Sequence, residues 1–498
     1  MLYTSTRDSS VSVTSAEAIA HGISKDGGLF VPKELPHINK EFIDSLLKAD
    51  YITRAKRVLS LFLTDYTDEE LDYCINGAYA KGKFSSEKIA PLKTLEPGVE
   101  VLELWRGPTC AFKDMALQLL PYLLTVAAKK TVADKTIVIL VATSGDTGKA
   151  ALEGFKDVDK TKIMVFYPND GVSPMQKLQM TTQEGSNVGV CAINGNFDDA
   201  QSGVKAIFTD PAVIKKLDEN NMMFSSANSI NWGRLVPQIV YYISSYCDMI
   251  ENGTINNGDE INIVVPTGNF GNILAAYYAK KMGIPVKKLI CASNSNNVLT
   301  DFFSDGKYDK NRKFYTTESP SMDILISSNL ERLLFHLCGE NDSLVKEWMT
   351  SLSSNGRYEV SDDVKKQIFE LFSAGCCDDD ETNETIAQTY KENGYLIDTH
   401  TAVAVKVYKD YVKNTDDKTP AVIASTANPY KFSASVLKAL SGEVCESDEF
   451  EQVELLLKKT GVECPEQLSS LRGKTPRFTS CCNKEEMANA VYGMLGIE

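Results

Sequence analysis

Lys113 is the residue of this chain best placed by its surroundings to act as a nucleophile. It lies in Leu104-Trp105-Arg106-Gly107-Pro108-Thr109-Cys110-Ala111-Phe112-Lys113-Asp114, after an apolar pair and directly before a helix-forming run at 115–129 with an expected kink at Pro121. A lone lysine near a helix start is most often a solvated charge. The helix dipole there disfavours the ammonium, however, and a partly buried lysine gives up its proton more readily, as attack on a carbonyl carbon requires.

Two glycine-bearing turns offer the second ingredient, anion binding. Pro266-Thr267-Gly268-Asn269-Phe270-Gly271-Asn272 follows the apolar run 262–266 and precedes a helix expected over 273–281. A strand, a glycine turn and a helix N-terminus bring backbone N–H groups together, with the helix dipole behind them. A single turn of this kind is more often a tight connection without a ligand. Thr143-Ser144-Gly145-Asp146-Thr147-Gly148 has the same strand-to-helix context, with a well-capped helix start as its plain alternative. Two such turns in one chain strengthen each other, because open α/β sheets gather ligands at the carboxyl ends of their strands. Neither turn is a Walker A motif, and neither fits a dinucleotide fingerprint.

The elements that must position these residues read as α/β. Thr136–Ala142 is a continuous apolar, β-branched run of the kind buried on both faces of a parallel sheet. Further runs at 162–167, 262–266, 288–292 and 421–425 read as strands with helices between them. Residues 1–95 mix short strands with amphipathic helices and form a separate N-terminal α+β unit. The acidic stretch 377–385 reads as a solvated surface loop, and the last ~50 residues as polar helices packing back on the body.

Bulk properties exclude several classes. The chain has 498 residues and a net charge of −15, so nucleic-acid backbones are repelled and any anionic substrate needs local donors. Its 12 cysteines form no C-x-x-C, and the adjacent pairs at 376–377 and 481–482 suit neither metal nor disulfide, so reduced thiols and no metal are expected. The N-terminus lacks the apolar core of a signal peptide and no segment is apolar enough to span a bilayer, which makes a cytoplasmic protein the default. A monomer is the starting expectation.

The segment around Lys113 and the two glycine turns occur in the order and spacing of the tryptophan-synthase-β-like (fold type II) pyridoxal-phosphate enzymes. Within that group the chain resembles the threonine synthases of fungal and bacterial type. Their lysine motif, His-Gly-Pro-Thr-x-Ala-Phe-Lys-Asp, is matched with Arg106 in place of His, and Thr-Ser-Gly-Asp-Thr-Gly is their substrate loop. Asn228-Ser229-Ile230-Asn231-Trp232-Gly233-Arg234, Met322-Asp323-Ile324-Leu325-Ile326-Ser327-Ser328-Asn329 and Ser425-Thr426-Ala427 are similar to further family segments. So are Tyr3-Thr4-Ser5-Thr6-Arg7 and Asp26-Gly27-Gly28-Leu29-Phe30 near the start.

The resemblance implies a fold type II architecture, with parallel or mixed sheets flanked by helices plus the N-terminal α+β unit. A large cofactor-binding unit would comprise 96–134 and 232–498, and a smaller α/β unit 135–231. It implies pyridoxal 5'-phosphate as cofactor and conversion of O-phospho-L-homoserine and water to L-threonine and phosphate, the final step of threonine biosynthesis. Lys113 would be the Schiff-base lysine and general base. Gly268, Asn269, Phe270, Gly271 and Asn272 would hold the cofactor phosphate, and Thr426 its pyridine nitrogen. Ser144, Gly145, Asp146 and Thr147 would hold the substrate carboxylate; Ser229, Asn231 and Arg234 would hold its phosphate. Asn272 stands where the family usually has Asp, and Asn428 where it has His. His400, in another family-like segment, reads as structural. The rival readings are a sibling lyase that releases 2-oxobutyrate and a catalytically inactive binding protein; the intact Lys113 argues against the second.

Overall fold

Apolar strand runs and amphipathic helices sort the chain into three sheets that matter for the site. The structure is a computed structural model, which describes residues 1–132, 135–143, 145–170 and 172–497. At the N-terminus Tyr3–Ser5 pairs antiparallel with Asp8–Val13 and with Phe30–Pro32. The helices around this small sheet begin at side-chain caps: Thr14 and Glu17 form a capping box for Ser15–His21, and Thr67 and Glu70 for Asp68–Tyr79. The unit is tied to the body through the long helix Trp232–Glu251. Tyr3 and Phe62 pack on Trp232, and buried Arg54 forms ion pairs with Asp248 and Glu251.

The larger sheet has six strands in the order Phe372–Cys376, Val286–Ser293, Ile261–Pro266, Ala421–Ser425, Val99–Glu103, Leu92–Glu96. All neighbours are parallel except the last pair. The smaller sheet is parallel throughout, in the order Cys481–Cys482, Val188–Ile193, Thr161–Pro168, Thr136–Ala142, Met222–Ser225. Every residue of Ile261–Pro266 and of Ala421–Ser425 is buried, as helices on both faces of a parallel sheet demand.

Three expectations change. The large unit does not extend to residue 498: Cys481–Cys482 joins the smaller sheet, and Met487, Val491 and Leu495 complete that sheet's core. The stretch 377–385 is no loop. Its acidic residues open the helix Asp379–Asn393 behind a capping box of Asp378 and Glu381, where negative charge favours the helix N-terminus. The run at 115–129 breaks into Asp114–Leu117 and Leu120–Thr131, with Pro121 in the first turn of the second piece, where its missing N–H costs nothing. All twelve cysteines are free thiols.

Candidate active site

Lys113 is held from below by its own motif. Phe112 donates its N–H to the Thr426 carbonyl at 2.8 Å, Ala111 bridges to Ala427, and Asn428 donates to the Cys110 carbonyl at 3.1 Å. The Lys113 segment is thus stapled to the end of the central strand Ala421–Ser425. Asp114 closes the turn by accepting from the N–H and hydroxyl of Thr109, each at 2.8 Å. Gly107 is required there, since a Cβ on it would come within 2.5 Å of the Asp114 carboxylate.

The Lys113 side chain is 12% exposed, and Nζ lies 3.9 Å from Asp146 Oδ2. The amine donates to the Ser321 hydroxyl at 3.3 Å. Burial pushes its pKa down to about 8; Asp146 works against that shift, while the charges of Lys431 and Arg234 add to it. Roughly one amine in ten is then unprotonated at pH 7, against about one in three thousand for an ordinary lysine.

The turn 268–272 is an anion cradle. Phe270 takes a left-handed backbone conformation (φ 65°) to start Gly271–Met282, a helix with no side-chain cap. The turn is braced from behind by Ser327, whose hydroxyl donates to the Gly268 carbonyl at 2.7 Å, and by Asn329, whose amide reaches the Asn269 carbonyl at 3.0 Å. A Cβ on Gly268 would lie 2.8 Å from the Ser321 carbonyl, so the close approach needs glycine. Asn272, the first residue after this turn's second glycine, is held by two tyrosines. Its carbonyl oxygen accepts from the hydroxyls of Tyr241 (2.6 Å) and Tyr242 (2.5 Å), which leaves Nδ2 buried without a partner among the described residues. A buried, unsatisfied donor beside an uncapped helix start fits a phosphate oxygen. Thr426 is buried, and its hydroxyl makes no hydrogen bond among the described residues.

The second turn is organised by Thr143, whose hydroxyl accepts from the N–H groups of Gly145 and Gly148, both at 3.0 Å. Ser144 lies outside the described residues. Asp146 has protein partners of its own. Its carboxylate pairs with Lys431 at 2.6 Å and accepts from the Gln176 amide at 3.0 Å. Burial would raise its pKa, but the ammonium groups of Lys431 and Lys113 hold it well below the usual carboxylate range. An ionised side chain so engaged repels a substrate carboxylate; what remains for one is the first-turn N–H groups of Asp146 and Thr147, with the half-buried Thr147 side chain.

Asn231 is likewise engaged within the protein. Its side chain caps Trp232–Glu251 by accepting from Gly233, and donates to the carbonyls of Ile19 (3.0 Å) and Ser226 (2.8 Å), so it anchors the N-terminal unit rather than a ligand. Ser229 is half-buried nearby. Arg234 donates to the Ala227 carbonyl, no carboxylate pairs with it among the described residues, and its Nε is buried without a partner. Burial lowers its pKa to about 10, so it remains a cation near Lys113.

Two residues at the site escape sequence reasoning. Ser321 reaches Lys113 from Pro320–Met322, a turn held by His400, whose Nε2 accepts the Ser321 N–H at 3.1 Å while Nδ1 faces Asp398 at 2.7 Å. His400 is structural in the sense that it positions Ser321. Lys431 is the second; the Asn428-Pro429 pair, a cap followed by a first-turn proline, marks the short helical turn that delivers it.

Residues 96–426 match the family model described as pyridoxal-phosphate dependent enzyme. Residues 2–79 match the model for the threonine synthase N terminus and 401–491 that for the threonine synthase C-terminal region. The chain belongs to the threonine synthase family. It is 40% identical to the threonine synthase of Pseudomonas aeruginosa over 445 residues, covering 89% of this chain and 91% of that one. It is 42% identical over 436 residues to threonine synthase-like 1 of Homo sapiens, which covers 85% of this chain; the chain spans 58% of that relative's length. The crystal structure of pyridoxal-phosphate-bound threonine synthase from Brucella melitensis superposes with a TM-score of 0.88 at 35% identity, over 99% of each chain.

Proposed function

We propose that this chain is a threonine synthase that converts O-phospho-L-homoserine and water to L-threonine and phosphate, the last step of threonine biosynthesis. The observation that carries the reading is a largely buried Lys113 beside the Asp146 turn, together with a buried Arg234 that pairs with no carboxylate among the described residues and has its Nε free. An acidic protein needs such a local cation to bind a phosphorylated amino acid.

The residues present fit the cofactor. Gly268, Asn269, Phe270, Gly271 and the spare Nδ2 of Asn272 would hold its phosphate, Thr426 its ring nitrogen, and Lys113 its aldehyde carbon. When bound, pyridoxal phosphate supplies the electron sink that makes the substrate's carbon-bound protons removable. The Lys113 amine would take the proton from the substrate's Cα and return one there at the end. The Ser321 hydroxyl, 3.3 Å from Nζ, orients that amine. Arg234, with half-buried Ser229, would bind the substrate phosphate and stabilise it as it departs. The first turn of Asp146–Phe155, with Gly145 and Thr147, would orient the substrate carboxylate.

No helix among the described residues is long and apolar enough to cross a membrane. The reading extends to a cytoplasmic, monomeric enzyme with no nucleic-acid partner. The test incubates the enzyme with O-phospho-L-homoserine and quantifies threonine, 2-oxobutyrate and phosphate together. Threonine and phosphate in equal amounts are expected; phosphate matched by 2-oxobutyrate, without threonine, would mean a lyase sibling.

A further inference from the structure

Lys431 is fully enclosed, with a side chain 0% exposed, and the reaction outlined above leaves it without a role. Its ammonium donates to the Thr109 carbonyl at 2.9 Å and pairs with Asp146 Oδ1 at 2.6 Å. The turn that delivers it is Pro429–Phe432, capped by Asn428, whose side chain accepts from the Tyr430 N–H at 3.0 Å. Asn428 also donates its own N–H to the Cys110 carbonyl. Asn428 is therefore a cap, and it ties the Lys431 turn to the stretch that carries Lys113.

Asp146 stands between the two lysines. One oxygen is gripped by Lys431 and Gln176; the other is 3.9 Å from Lys113 Nζ, beyond hydrogen-bond reach. Lys113 is bonded to the neutral Ser321 hydroxyl instead. We propose that Lys431 is a positioning residue that pins the Asp146 carboxylate and so keeps it from closing on Lys113. A buried carboxylate in contact with Lys113 would hold that side chain as an ammonium, which neither attacks a carbonyl nor removes a proton.

The charged groups that face Lys113 are Asp146, Lys431, Arg234 and Asp114. Lys431 acts on the amine twice with one sign: it occupies Asp146, and it sets a like charge nearby. Asp114 is pushed up to about 7 by burial, so its own opposing charge is weakened. Burying an ammonium for this purpose is tolerable because Asp146 and Thr109 satisfy it; removing one partner of such a pair is what costs stability.

The inference rests on the proposed role of Lys113, but its test needs neither substrate nor turnover. The full chain, freed of cofactor, is trace-labelled with acetic anhydride from pH 6 to 11. Peptide mass spectrometry then reads acetylation at Lys113 against Lys418, which is 81% exposed. The wild-type midpoint is expected near 8. Lys431→Met should raise it by about one unit or more, a roughly tenfold loss of free amine at pH 7. Asp146→Asn should lower it, the double variant should return it towards the wild-type value, and Lys431→Arg should leave it in place. If the methionine variant does not fold, Lys431→Gln keeps a donor for Thr109 without the charge and should raise the midpoint too. In the loaded enzyme the acid limb of the kcat/KM profile should move up with the same variants. A folded Lys431→Met or Lys431→Gln protein with an unmoved Lys113 midpoint would overturn the proposal, whatever reaction the enzyme catalyses.

Discussion

Replacing Lys113 with methionine should make the cofactor-free protein more stable at neutral pH, and less so as the pH rises. The amine has a pKa of about 8 in the folded chain against 10.5 for an ordinary lysine. Between those values the unfolded chain holds the proton and the folded chain does not, so the wild type gains stability as pH rises through this window. Below pH 8 the burial penalty is nearly complete. A 2.5-unit depression corresponds to about 3 kcal/mol, at 1.36 kcal/mol per unit. Methionine fills similar space without a charge but forfeits the bond to Ser321, worth about 1 kcal/mol. The net expectation at pH 7 is a gain of about 2 kcal/mol in urea unfolding. At pH 10 the penalty remaining in the wild type is below about 1 kcal/mol, and the advantage should vanish. A Lys113→Met advantage that is absent at pH 7, or equally large at pH 10, would refute the claim that this lysine is held against its preferred charge state.

Gly268→Val should abolish cofactor binding in a folded protein, since a Cβ there meets the Ser321 backbone at 2.8 Å; unchanged absorbance of the purified variant would move the phosphate site elsewhere. Thr426→Ala should keep the cofactor and lose turnover by roughly ten- to hundred-fold, as expected for one hydrogen bond of about 1–3 kcal/mol to the reacting system. Arg234→Ala should raise KM for O-phospho-L-homoserine, a charge-assisted phosphate contact being worth about 1.5–3 kcal/mol, while leaving cofactor binding intact.

Strands were legible where both faces are buried, because the sequence then carries an unbroken apolar signal: Thr136–Ala142 and Ala421–Ser425 have the bounds their residues suggest. Lys113 and the two turns were legible because local backbone geometry dictates their glycines, as at Gly107 and Gly268. Lys431 and Ser321 were not, because a single lysine or serine in a short turn carries no local sign of the distant residue it will face. Asp146 and Asn231 sit in segments that do reach the site, yet their side chains are taken by Lys431 and by the Trp232–Glu251 cap; only three-dimensional partners reveal that. Cys481–Cys482 is too short to carry a strand pattern, so the return of the chain to the smaller sheet left no sequence trace. The acidic helix start at Asp379 was misread as solvated charge, although the Asp378 and Glu381 spacing of a capping box was present.

The most direct measurement is borohydride reduction of the protein purified with its cofactor, followed by peptide mapping of the fixed label. Three buried or half-buried lysines compete near the site: Lys113, Lys149 and Lys431. Lys149 is paired with Glu153 at 3.0 Å and Lys431 with Asp146 at 2.6 Å, whereas among the described residues Lys113 has only the Ser321 hydroxyl in hydrogen-bond reach. The cofactor is expected on Lys113 alone. Its recovery on Lys149 or Lys431, or undiminished labelling of a Lys113→Ala variant, would contradict the assignment on which the proposed reaction stands.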